Sequence, residues 1–285
     1  MRRLVPYILH TRPRSWPIVS CHLIVGFLLA HGFKAISLEV VFDLLIGLVL
    51  WVVLLNGGTL ALNSAFDKDE GDIGYLNNPP EVPKYLSLFS ITLMIIGLIL
   101  SYFFTLRFFV AYLVCFILSI LYSCPPIRLK AVPGFDLLIN SLGYGAFTLY
   151  GGWAVVNKEL NATIIIILSS FFLLFAGLYP LTQIYQYEED KRHGDRTFTV
   201  LLGEKRVLLF SIISITMGFI LIFAEVLLRH MNYCSLTTIL ALLCWYKVLI
   251  PWYLHKEIID AQKGMYNALW VWFITDISVI ISILS

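Results

Sequence analysis

The chain has 285 residues, 59% hydrophobic and only 13% charged, where a soluble protein carries roughly 25% charged residues. A formal net charge of +2 leaves no basic surplus for nucleic acid. The mean hydropathy of +0.85 excludes an ordinary soluble enzyme and places most of the chain in lipid.

Met1 to Arg14 carries Arg2, Arg3, Arg12 and Arg14 with no apolar core ahead of the first span. It therefore reads as a cytoplasmic tail or interfacial helix and not as a cleavable signal peptide. A membrane helix needs roughly 20 apolar residues. Such runs fall at 16–33, 38–63, 84–104, 107–123, 135–156, 161–187, 206–228, 235–254 and 265–284. The run at 107–123 is short, and 235–254 contains Lys247 and Pro251. His22 and His31, in or near the first run, read as packed or interfacial. The expected fold is all-α: one domain, 1–285, of nine transmembrane helices bundled around a central cavity open at the cytoplasmic face.

Nine spans put 15 of the 20 Lys and Arg on the side of the N-terminal tail. Lys34, Arg107, Lys158 and Arg229 fall on the other side. Positive charge marks the cytoplasmic face. Twelve of the 18 Asp and Glu share that side, so function is expected there, in a bacterial-type inner membrane. The five cysteines, Cys21, Cys115, Cys124, Cys234 and Cys244, are odd in number and form no CxxC. They read as reduced packing residues.

Two acidic clusters end long apolar runs. The first is Asn63-Ser-Ala-Phe-Asp67-Lys-Asp69-Glu70-Gly-Asp72, and the second is Gln186-Tyr-Glu188-Glu189-Asp190-Lys-Arg-His-Gly-Asp195-Arg196. Asn56, Thr59 or Leu60, Asn63 and Asp67 recur at helical spacing, as do Tyr179, Gln183, Gln186 and Asp190. Such intramembrane polar stripes are costly unless they line a cavity. Amide and carboxylate oxygens are hard ligands suited to Mg²⁺, which completes its shell with water and phosphate. The two clusters are expected to face each other across one cavity and hold Mg²⁺ against a diphosphate. Glu70 and Glu188 are more in keeping with solvated positions. Between the clusters lies Tyr122-Ser-Cys-Pro125-Pro126-Ile-Arg128-Leu-Lys130. Two prolines stop the helix, and Arg128 and Lys130 are expected to alternate in an extended segment, both pointing the same way to clamp the diphosphate.

These residues resemble the UbiA superfamily of intramembrane prenyltransferases, over essentially the whole chain. The family's NDxxDxxxD motif is matched by Asn63, Asp67 and the following acids. Its DxxxDxxxG motif is matched by Gln186, Asp190, Gly194, Arg196 and Thr197. Tyr122 to Lys130 resembles its basic loop, and Arg12-Pro13 its N-terminal Arg-Pro. Ser64 stands where an Asp is usual; Gly71 stands four after Asp67, so Asp69 or Asp72 takes the second role; Gln186 replaces an Asp, a role that can pass to Glu189.

The resemblance implies Mg²⁺-dependent transfer of a prenyl group from a prenyl diphosphate to a lipophilic acceptor, with no obligate protein partner. The metal ligands implied are Asn63, Asp67, Asp69, Asp72, Gln186, Glu189 and Asp190. The diphosphate residues are Arg128, Lys130, Arg12, Lys191 and Tyr122, and the catalytic residues Asp67, Asp190 and Lys130. Tyr144, Tyr150 and Trp153 are candidates to face an allylic cation. The acceptor stays open among a quinone precursor, naphthoate, a porphyrin-type alcohol acceptor, a glycerol phosphate lipid and a carotenoid. Two alternatives are a membrane terpene cyclase on the same diphosphate site and a cation or small-solute transporter. The DGxxAR-type signature of CDP-alcohol phosphotransferases is absent.

Overall fold

In lipid, backbone polar groups find no water, so an apolar chain must satisfy them within helices. The computed structural model describes residues 4–32, 37–67, 71–228, 236–255 and 260–284, and among them the only β feature is an isolated bridge between Ile73 and Leu76. Seven helices among the described residues are long and apolar enough to cross a membrane: Val5–His31, Leu38–Phe66, Leu106–Ser123, Ala162–His193, Glu204–Leu228, Leu236–Leu254 and Ala261–Ile283. A further apolar helix, Leu86–Tyr102, has 17 residues. The expected run at 135–156 is helical in three pieces, with a π-helical stretch at Ser141–Phe147 between Phe135–Asn140 and Thr148–Val155.

Local chemistry sets several boundaries. Ser37, Thr105, Asn161 and Thr197 each accept the N–H three residues on, capping the helices that follow. Gly32, Gly194 and Gly203 stop helices at positive φ. The run expected at 161–187 is not one regular helix. Its α-helical part ends at Leu178, and 3₁₀ turns follow at Tyr179–Thr182 and Ile184–Gln186 before the helix Tyr187–His193. Pro180 has no N–H to continue the ladder.

The chain divides into two compact units. The first comprises Met1–Arg128 and Tyr150–Lys158; the second comprises Leu129–Leu149 and Glu159–Ser285. Between lipid-bathed helices close van der Waals fit and polar side-chain bonds replace the hydrophobic drive. In the first unit a Cβ on Gly152 would overlap the Leu23 carbonyl oxygen, so these helices meet backbone to backbone. Thr59 and Ser119 hydroxyls lie 2.7 Å apart, and Tyr112 donates to the Met94 carbonyl at 3.2 Å. In the second unit Trp245 donates to Thr275 at 2.9 Å, and Thr238 and Ser282 lie 2.9 Å apart. Large apolar side chains such as Ile99, Leu106, Ile165, Ile213 and Leu240 stay exposed, as a lipid-facing surface requires.

Candidate active site

In the first unit the helix Leu38–Phe66 ends one residue before Asp67, whose N–H still bonds the Asn63 carbonyl at 2.9 Å. Asn63 and Asp67 therefore stand one turn apart, as their spacing requires. The Asp67 side chain is 8% exposed, and its Oδ1 lies 3.7 Å from the Arg128 guanidinium. Asp69 and Glu70 lie outside the described residues. Beyond Gly71 the chain folds back on itself, with Ile73 and Leu76 exchanging backbone bonds of 3.1 and 2.8 Å. Asp72 Oδ1 accepts the Asn78 N–H at 2.8 Å and so fastens this turn.

The N-terminal segment completes the wall. A His10 ring nitrogen lies 3.2 Å from the Pro80 carbonyl, and Arg12, at φ +52°, donates to the Ser64 hydroxyl at 3.4 Å. A cavity of about 420 Å³ results, lined by His10, Ser64, Asp67, Asp72 and Glu81 among others. Sequence reasoning passed over His10 and Glu81. The signal for Glu81 was the Pro79-Pro80 pair, which carries the chain straight toward it.

The basic segment departs from expectation. Its backbone is not extended between Arg128 and Lys130. The Arg128 N–H bonds the Cys124 carbonyl at 2.9 Å, Arg128 takes φ +40°, and Leu129–Ala131 forms a single 3₁₀ turn. The strand-like alternation that would have aimed both cations alike is thereby lost. Arg128, Lys130 and Tyr122 are all partly buried. Burial raises the Cys124 thiol above its ordinary value, in keeping with a packing role. The four described cysteines form no disulfide.

In the second unit Gln186 ends a 3₁₀ turn, and Glu189 and Asp190 follow on the helix Tyr187–His193. Glu189 and Asp190 are partly buried, while Glu188 and Lys191 are exposed. The Lys191 ammonium stands 6.0 Å from the Tyr187 ring. Gly194, at φ +78°, turns the chain so that the Asp195 N–H bonds the Asp190 carbonyl at 3.0 Å. Thr197 then donates to Asp190 Oδ2 at 3.4 Å. The polar stripe 179–190 is redirected in part. Tyr179 and Gln183 meet at 2.8 Å as four-residue spacing predicts, yet Gln183 bonds Asp136 and Thr199 in the interior.

Two aromatic candidates are already engaged. Trp153 donates to the Lys158 carbonyl at 3.0 Å, and the Lys158 ammonium sits 5.1 Å from its ring centroid. Tyr144 stacks on Phe175 at 5.4 Å. His22 is buried and His31 stacks on Phe27, both in line with packing roles.

Among the described residues no three His, Cys, Asp or Glu side chains gather at metal-ligand spacing. The donors lining the first unit's cavity are mostly hard oxygens, from Ser64, Asp67, Asp72 and Glu81. That set fits Mg²⁺, which takes one or two protein carboxylates and fills its shell with water and substrate phosphate.

The sequence profile of the UbiA prenyltransferase family matches residues 19–273. The chain belongs to the UbiA prenyltransferase family. Several UbiA homologues share its fold. One from Archaeoglobus fulgidus, solved bound to DMAPP and Mg²⁺, superposes with a TM-score of 0.71 at 22% identity over 96% of this chain and 98% of that one. One from Aeropyrum pernix K1, solved in the apo state, gives 0.68 at 16% identity over 96% and 98%. A structure of digeranylgeranylglyceryl phosphate synthase gives 0.73 at 18% identity over 100% and 99%. By sequence the chain is 30% identical over 190 residues to the digeranylgeranylglyceryl phosphate synthase of Pyrococcus furiosus. That match covers 63% of this chain and 64% of the relative, so it spans under two thirds of the relative's length. With its long apolar helices, this UbiA family member is an integral membrane protein.

Proposed function

We propose that the protein transfers a prenyl group from a prenyl diphosphate to a lipophilic acceptor inside the membrane, with Mg²⁺ bound. The observation that carries this is the meeting of Asp67 and Arg128 at 3.7 Å, which joins an acidic helix end to a basic turn within one unit. Membership in the prenyltransferase family supports it. Nine spans, with the acidic ends on the cytoplasmic side, complete the proposed topology.

An allylic diphosphate ionises when its departing charge is stabilised. Asn63, Asp67 and Asp72 in the first unit, and Gln186, Glu189 and Asp190 in the second, are the residues assigned to Mg²⁺, with Asp69 the alternative to Asp72. The bound metal supplies Lewis-acid neutralisation of the diphosphate. Arg128 is held by Asp67 and partly buried, so its fork is pre-organised for phosphate oxygens. Lys130, Arg12, Lys191 and Tyr122 are the further diphosphate donors. Apolar helices open to lipid accommodate the hydrocarbon tail.

The acceptor class favoured is a lipid of the glyceryl phosphate type. The support is the Pyrococcus furiosus relative, whose name is that of a digeranylgeranylglyceryl phosphate synthase. The test is purified protein in lipid nanodiscs, given radiolabelled prenyl diphosphate, Mg²⁺ and one acceptor of each class. A prenylated glyceryl phosphate lipid that vanishes on chelation is the expected product. A cyclic hydrocarbon or alcohol made without acceptor would instead establish the cyclase.

A further inference from the structure

Asp136 is fully buried, in the first turn of the helix Phe135–Asn140, and no step above uses it. Its Oδ1 accepts the Gly134 N–H at 2.8 Å. Its Oδ2 accepts the Phe198 N–H at 2.8 Å and the Gln183 amide at 3.3 Å. Gln183 in turn bonds the Tyr179 hydroxyl at 2.8 Å and accepts from Thr199 at 2.9 Å. All of these residues belong to the second unit.

One carboxylate thus ties three separate segments together. Gly134 lies just beyond the 3₁₀ turn that carries Lys130. Gln183 lies between the two 3₁₀ turns that follow the helix Ala162–Leu178. Phe198 opens the short helix Phe198–Leu202, directly after Thr197, whose hydroxyl reaches Asp190. Helix formation does not need a buried acid, and an uncompensated one is costly. Three N–H donors converging on its two oxygens, two of them backbone, form a rigid charge-assisted junction.

We propose that Asp136 is a positioning residue for the diphosphate chemistry. It fixes the Asp190 carboxylate through Phe198 and Thr197, and the Lys130 turn through Gly134. The inference rests on the prenyl-transfer reading of Asp190 and Lys130. Outer partners of this kind set how well a ligand holds its metal, and their loss typically costs 10-fold or more in metal affinity.

The decisive quantity is the Mg²⁺ concentration for half-maximal transfer, measured per folded molecule after size-exclusion in detergent. Asp136→Asn keeps the volume but must turn an NH₂ toward one of the N–H donors. It is expected to raise half-activation about tenfold, with a smaller change in kcat. A purely structural role would lower the yield of folded protein and leave half-activation where it was. Phe198→Pro is a second probe, because proline fits the first helical position and deletes the N–H that Asp136 accepts. It is expected to shift half-activation in the same direction. Thr197→Val should do likewise, and Thr197→Ser should restore the wild-type value.

Wild-type half-activation in folded Asp136→Asn overturns the positioning role while leaving prenyl transfer intact. Should Asp136→Asn fail to fold, wild-type half-activation in Phe198→Pro and Thr197→Val overturns it equally. Absence of Mg²⁺-dependent transfer in the wild type overturns the prenyl-transfer reading and the positioning role with it.

Discussion

The guanidinium of Arg128 lies 3.7 Å from the Asp67 carboxylate, although 60 residues of chain separate them. Arg128 reaches this place from a backbone at φ +40°, a conformation that L residues adopt rarely. The Asp67 carboxylate and its own turn both bear on this side chain, which the proposed reading assigns to the diphosphate. Asp67→Ala should lower Mg²⁺-dependent transfer by roughly a hundredfold or more, with the protein still folded in detergent. Arg128→Lys keeps the charge and loses the planar fork, so the KM for prenyl diphosphate should rise about tenfold. Wild-type steady-state kinetics in either variant would remove that residue from the site.

Asp72 has two roles to separate, because its Oδ1 also holds the Asn78 N–H at 2.8 Å. Asp72→Asn keeps an oxygen for that bond and removes the charge. It should melt within a few degrees of wild type while losing about tenfold or more in activity. Asp72→Ala should lose the activity and also about 1 kcal/mol of stability. Full activity in Asp72→Asn would leave this residue as a fastener of the loop and pass the ligand role to Asp69.

Gly152→Ala tests the helix contact in the first unit. The new methyl would run into the Leu23 carbonyl oxygen, which is backbone and cannot rotate aside. Overpacking of this kind costs about 1–3 kcal/mol. A lowered Tm in a detergent-solubilised thermal shift is the expected result, and an unchanged Tm would contradict the backbone contact.

Sidedness is open to direct measurement. In a background with all five cysteines replaced, Arg192→Cys should label with an impermeant maleimide only after the membrane is permeabilised. Leu160→Cys, at a position 49% exposed, should label on intact cells. The opposite pattern would invert the topology.

Apolar runs were easy to read because lipid tolerates little else. The run at 84–104 became Leu86–Tyr102 with nearly the same ends. The spacing of Asn63 and Asp67 carried over because the helix persists to Phe66. The run 161–187 lies within the span Ala162–His193, but its change of winding was illegible, because hydropathy does not register the N–H missing at Pro180. The backbone at Arg128 was illegible for a similar reason. A bond to the Cys124 carbonyl sets it, and two prolines alone pointed to extension. Asp136 gave no signal at all. An acid in a first helical turn is ordinary, and its partners Gly134, Gln183 and Phe198 are scattered along 65 residues.

The bond between His10 and Pro80 spans 70 positions, and that between Arg12 and Ser64 spans 52. A ribosome adds about 5–20 residues per second, so the first-made wall of the cavity waits roughly 4–14 s for its partner at residue 80 to be synthesised. His10 and Arg12 therefore cannot dock until residues 64 and 80 have been made, and this wall of the pocket closes from its older edge.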